Sequence, residues 1–155
     1  MARNDYQCLQ RMKTMVKATH WVKGDLKRVI EWEMEEEGRF GECKVDPVTG
    51  QMIPSKMGHC IMGFVAEVSD IDLDKLNRRG CVFEINIDHF PQASRITNRL
   101  FNAMISVQVN MGNVYKYPGI SETSWQAYKL EQFNDNESTT RQDIIELIDR
   151  AMAIK

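Results

Sequence analysis

Two stripes of apolar residues at helical spacing bracket this chain, and each obliges it to find a partner surface. Near the start, residues 5–22 place Leu9, Met12, Met15, Val16 and Val22 on such a spacing. Near the end, Ile144, Ile145, Ile148, Ala151 and Met152 do the same. A third stripe, Ala93, Ile96, Leu100 and Met104, follows Pro91, a residue suited to a first helical turn. Amphipathic helices draw most of their stability from packing the apolar face, so three stripes demand one shared core. A chain of 155 residues, 43% hydrophobic, is long enough to build it as a single domain.

Between the stripes the period changes. Residues 28–37 fit two patterns: a helix capped by Asp25, or a strand alternating Ile30, Trp32 and Met34 with Glu31, Glu33 and Glu35. The helix propensity of Glu and Met favours the helix. CKVDPVTGQMI reads as a hairpin, with Pro47 presetting φ and Gly50 supplying a positive φ. CIMGFVAEV, residues 60–68, reads as a buried strand, and Ser69 or Asp70 as the cap of a short helix that Gly80 ends. CVFEINIDHF is the cleanest alternation, with Phe83, Ile85 and Ile87 opposite Glu84, Asn86 and Asp88. Val107, Val109 and Met111 alternate up to the hairpin signal Gly112-Asn113, and Tyr115 and Tyr117 then fall on the polar face with Gln108 and Asn110. Ser121 caps the next helix, Ile120 and Trp125 occupy staple positions, and Thr139 with Gln142 forms a capping box for the last one. The expected fold is α+β: one domain with a small antiparallel sheet of roughly four to six strands packed by several helices. Its helical N-terminal part covers about 5–37, its sheet-rich middle about 42–118 and its C-terminal helices about 121–154.

Charge is segmented although the total is only −2. Residues 1–30 carry seven basic and two acidic groups, 31–74 three and eleven, 75–130 seven and three, and the remainder three and six. Such a bipolar chain can present a basic face despite its near-neutral sum. No apolar run approaches the roughly 20 residues of a membrane helix, and the first residues hold no apolar block of signal-peptide type. The expectation is a cytoplasmic protein with no membrane partner and reduced thiols at Cys8, Cys43, Cys60 and Cys81.

No motif of high chemical specificity is present. Cys43, His59, Cys60 and Cys81 are soft ligands without the paired spacing of a zinc site, so no metal is assigned. The neighbours His59 and Cys60 lack the geometry that would make them a catalytic dyad by sequence alone. Glu84, Asp88 and His89 form the one acidic row that acid–base or divalent-cation chemistry would use. The stronger constellation is Arg95, Asn98, Arg99 and Asn102, at i, i+3, i+4 and i+7 on the polar side of a helix, with Arg78 and Arg79 nearby in sequence. Arginine reads guanine or phosphate and asparagine reads adenine. Tyr115 and Tyr117, with Lys116 between them, suit stacking on unpaired bases or anchoring of a protein.

The stretch ISVQVNMGNVYKYPGISETSWQAYKL, residues 105–130, resembles the middle of the small KTSC domain. That family shows an alternating strand, a Gly-Asn turn, a V-Y-x-Y strand and a short helix, and Val114-Tyr115-Lys116-Tyr117 and Ile120 follow that order. The family's C-terminal motif is absent, with NDNESTTRQDI in its place. The resemblance implies nucleic-acid association, because the family occurs beside lysyl-tRNA synthetase domains.

These readings converge on a non-enzymatic binding protein without a cofactor. The leading expectation is a protein-interaction regulator or inhibitor of a larger macromolecule. The alternative is a domain that binds RNA or single-stranded DNA, and the second alternative a small metal-dependent enzyme using the acidic row. A homo-oligomer is compatible with each.

Overall fold

The computed structural model describes residues 4–18, 21–25, 28–32, 43–72, 87–106 and 118–154. These residues form five α-helices and one antiparallel strand pair. In chain order they are α1 (Asp5–Lys17), β1 (Arg28–Trp32), β2 (Pro54–Gly58), α2 (Ile61–Val68), α3 (Pro91–Ser106), α4 (Glu122–Asp135) and α5 (Arg141–Ala153).

The stripes read from the sequence supply much of the core, although Met15 and Met152 are only partly buried and Val22 lies beyond the end of α1 at Lys17. Leu9, Met12 and Val16 of α1, Ala93, Ile96, Leu100 and Met104 of α3, and Ile144, Ile145, Ile148 and Ala151 of α5 are all buried. α1 packs on α5, and α3 packs on both α4 and α5. Each helix start is chemically specified. Asn4 and Gln7 form a capping box on α1, and the Ser121 hydroxyl accepts from Ser124 N at α4. On α5 the box is Thr140 with Asp143, one residue beyond the pair read from the sequence. Thr139 is instead buried, and its hydroxyl donates to the Phe133 carbonyl at 2.6 Å, closing the end of α4.

The α+β expectation fails in the middle of the chain. Among the described residues the only sheet is the β1–β2 ribbon, with Arg28 opposite Gly58 and Trp32 opposite Pro54, so the sheet of four to six strands is corrected to a helical bundle with one short ribbon. Three local readings change with it. Residues 28–32 are strand, not helix. Residues 61–68 are helix, not strand. Of the alternating run at 81–90, residues 87–89 form a 3-10 turn, and the part at 81–86 lies outside the described residues. So does the expected hairpin at 107–117.

α2 explains the largest of these changes. Seven of its eight residues are buried, so it is apolar all round. A continuous apolar run has no period to separate helix from strand. Such a helix belongs in the middle of a bundle, and α2 touches α1, α3 and α4. Ser69 and Asp70 end it rather than start another. Asp70 adopts φ +59, Asp70 N donates to Glu67 O, and Ile71 N donates to Ala66 O. That is a Schellman closure with aspartate in the left-handed position usually held by glycine.

The start of α2 has no side chain of its own to cap it, because Cys60 occupies the N-cap and makes no capping bond. The cap comes from α4. Asn134, fully buried, accepts from Ile61 N at 2.9 Å and from Trp21 Nε1 at 2.6 Å, and its Nδ2 donates to the Val22 carbonyl at 3.1 Å and to Asp135 Oδ1 at 3.0 Å. Residues 21–25 are thereby held against both α4 and the strand-to-helix joint: Val22 N donates to His59 O, Cys60 N to Asp25 O, and Gly24 N to Asp135 Oδ1. Gly24, at φ +86, makes the bend that this run requires.

Asn134→Ala leaves the Trp21 and Ile61 donors and the Val22 carbonyl buried without that amide. The expected loss is about 2–4 kcal/mol, read as a lower urea midpoint with an unchanged slope.

Candidate functional site

The polar face expected on α3 exists, and the fold assigns its members different tasks. Arg95 is 57% exposed at its side chain and donates from Nε to Asp5 Oδ2 at 3.1 Å. Arg99 turns inward at one end of α5. Its Nη1 donates to Ile154 O at 2.8 Å and Ala151 O at 3.2 Å, satisfying carbonyls that the helix leaves open and countering the negative end of the dipole. Asn98 Nδ2 reaches Gln126 Oε1 at 3.4 Å on α4, and Asn102 Nδ2 donates to Asn98 Oδ1 at 3.2 Å. The face is therefore partly a seam between helices.

Above this seam lies an open polar groove of about 470 Å³, lined by Asp5, Ser94, Arg95, Asn98, Arg99 and Thr123. It joins the start of α1, the middle of α3 and the first turn of α4. Arg95, Asn98 and Arg99 are thus brought together as the sequence suggested, whereas Asn102 does not line the groove. Asp5, Ser94 and Thr123 gave no sequence signal for the site, because their nearness is created only by helix packing. Arg78, Arg79, Tyr115, Lys116 and Tyr117 lie outside the described residues.

A second surface was missed altogether. The 43–53 segment is the hairpin its sequence suggests, with a Val45–Met52 bridge, Asp46 N donating to Gln51 O, and Gly50 at φ +72. Asp46 locks the tip: its Oδ1 accepts from Val48 N at 2.8 Å. Val45 and Met52, as a directly opposed pair, share one face. They are 50% and 47% exposed, and Val48 at the tip is 91% exposed. The sequence marks the hairpin itself, but exposure of Val45, Val48 and Met52 depends on what the rest of the fold leaves uncovered, and no local signal states that.

The other chemical readings fare differently. Asp88 and His89 are exposed on the 3-10 turn while Ile87 is buried, so the alternation that aligned Asp88 with Glu84 and Asn86 on one strand face does not extend to it. Glu84 and Asn86 lie outside the described residues. No group of three or more His, Cys, Asp or Glu is placed to hold a metal ion among the described residues. Cys60 is a free, buried thiol. Burial pushes the Cys60 thiol up to about 12, with the Glu131 and Asp135 charges adding to the rise and the nearby Gly63 and Met62 backbone N–H groups opposing it. A thiol held protonated in this way is the opposite of an activated nucleophile. His59 is buried too, its ring 5.4 Å from that of Phe64 and its Nε2 3.7 Å from Glu67 Oε2.

No family model, curated protein or solved structure matches the chain. Of the stretch 105–130, residues 107–117 lie outside the described residues, and the helix following Ile120 is α4. Among the described residues no helix is long and apolar enough to cross a membrane.

Two outcomes follow from this geometry. Arg99→Ala removes the closure of α5 and lowers stability by about 1–2 kcal/mol, whereas Arg95→Ala, an exposed ion pair, changes it by less than about 1 kcal/mol; thermal unfolding of both variants separates them. The raised Cys60 pKa favours the folded state below the ordinary thiol value of 9.0, and that contribution is lost as pH rises from there toward about 12. Above pH 9 the stability of the parent protein should therefore fall more steeply than that of Cys60→Ala, and parallel curves would contradict the assignment.

Proposed function

We propose that this chain is a non-enzymatic binding protein, a small regulator or inhibitor that inserts its 43–53 hairpin into an apolar cleft of a larger protein. The observation that carries this reading is Val48, 91% exposed at the tip of a hairpin whose other exposed apolar groups, Val45 and Met52, share a face behind it. Exposed apolar groups gathered on one projecting element mark contact surfaces, while scattered ones do not. The tip is also preorganised, because Asp46 holds the backbone at Val48 and Thr49 through its carboxylate. Ordering entropy lost before binding is not lost again on docking.

The chemistry of the cleft follows from the flanking charge. Residues 31–46, which lead into the hairpin, carry seven acidic and two basic side chains. An apolar cleft with a basic rim complements them, and the rim charges govern approach more than final affinity.

The test uses the intact chain as bait, with Val48→Asp as the paired variant. The substitution is on the surface and should leave the melting temperature within about 2 °C. The parent should retain a partner that Val48→Asp retains at least about tenfold less well. Equal retention would remove the hairpin as the contact element. Self-association of the parent that Val48→Asp abolishes, measured by sedimentation, would make the occupant a second copy of this chain instead.

A further inference from the structure

The α3 groove holds hydrogen-bond donors that the fold leaves unused. Arg95 spends only its Nε on Asp5, and among the described residues nothing accepts from its Nη1 or Nη2. Arg99 spends only Nη1 on the α5 carbonyls, and among the described residues its Nη2 and Nε are likewise unmatched. The Thr123 hydroxyl, across the groove on α4, has no described partner either. Asp5 is the sole acidic lining residue among the described ones, and it sits in the first turn of α1, where the helix dipole shares in balancing its charge. Its bond to Nε fixes the guanidinium and leaves the end-on fork of Arg95 as the free edge.

We propose that this groove is a binding site for a phosphomonoester group. The argument is one of number and charge. Two guanidinium groups one helical turn apart and a hydroxyl on the facing helix supply more donors than the two oxygens of a carboxylate use. A phosphomonoester brings about two negative charges and three terminal oxygens that only accept. The volume of about 470 Å³ falls in the range of small-ligand sites, so the group arrives on a small molecule or on a single side chain. A nucleic acid would need several phosphate contacts along a track, and among the described residues this groove offers one. The site is separate from the hairpin and does not rest on it.

The experiment follows the arginine Nε–H signals of the full chain by nitrogen–proton NMR at constant ionic strength. Four probes are compared: inorganic phosphate, free phosphoserine, a short phosphoserine peptide with its unphosphorylated form, and dimethyl phosphate. Saturable shifts at Arg95 and Arg99 are expected with the first three, and neither dimethyl phosphate nor the unphosphorylated peptide should produce them. Tighter binding of the peptide than of free phosphoserine would assign the source to a modified protein, and the reverse to a free metabolite. Arg95→Gln should weaken binding at least about tenfold. Asp5→Asn should tighten it, since it removes an opposing charge and leaves the Asn4–Gln7 capping box in place. No saturable shift with phosphate, an equal response to dimethyl phosphate, or binding untouched by Arg95→Gln would each overturn the proposal. So would tighter, steeply salt-dependent binding of a single-stranded oligonucleotide.

Discussion

The buried amide of Asn134 is the constraint on which the rest of the bundle depends. A helix that is apolar on every side can occupy the centre of a small protein, but it carries no polar side chain to close its own start. α2 has this difficulty, and Asn134 of α4 resolves it by accepting from Ile61 N. The same side chain takes the Trp21 indole proton and donates to the Val22 carbonyl. Three stretches far apart in sequence therefore meet at one fully buried group, and its bonds to Ile61 N and the Val22 carbonyl lie where water is excluded. In such surroundings a complete network enforces one arrangement, while a partial one is worse than none. α2, held in place by Asn134, in turn packs against α1, α3 and α4.

Polar residues on a helix do not announce which way they work. Arg95 and Arg99 lie one turn apart with the same chemistry, yet one faces solvent beside Asp5 and the other closes α5. A guanidinium has donors enough to do both, fixing a carbonyl with one nitrogen and leaving others for a ligand. The groove arises from that surplus. The hairpin works by a different principle: its polar residue, Asp46, turns inward on the backbone and leaves apolar groups outside.

Legibility in the sequence followed periodicity. α1, α3 and α5 each have one apolar stripe, and a stripe with a period of 3.6 states both the element and its buried face. Two local caps were readable to within a residue, Ser121 and the Thr140–Asp143 pair, whereas the Asn4–Gln7 box gave no reading and Asp25 and Ser69 or Asp70 were read as caps of helices that do not start there. α2 could not be read because burial on all sides erases the period. Residues 28–32 could not because strand formation there depends on pairing with residues 54–58, a partner the local sequence does not reveal. Arg95, Asn98 and Arg99 were legible as a face, but their division into strut and free donor depends on Asp5 and the α5 carbonyls, which lie far away in sequence.

Cys60 gives this molecule an internal gauge of its own motion. Its thiol is buried at the N-cap of α2, where residues 21–25 pass over the joint and Asp25 O accepts from Cys60 N. A disulfide reagent added from solution meets that sulfur only when the joint opens. The rate of labelling then measures a local opening equilibrium, much as amide exchange does, at one chosen place in the fold. Because that place is held shut by the Asn134 network, the sulfur reports on how often the centre of the bundle lets go of the chain that crosses it.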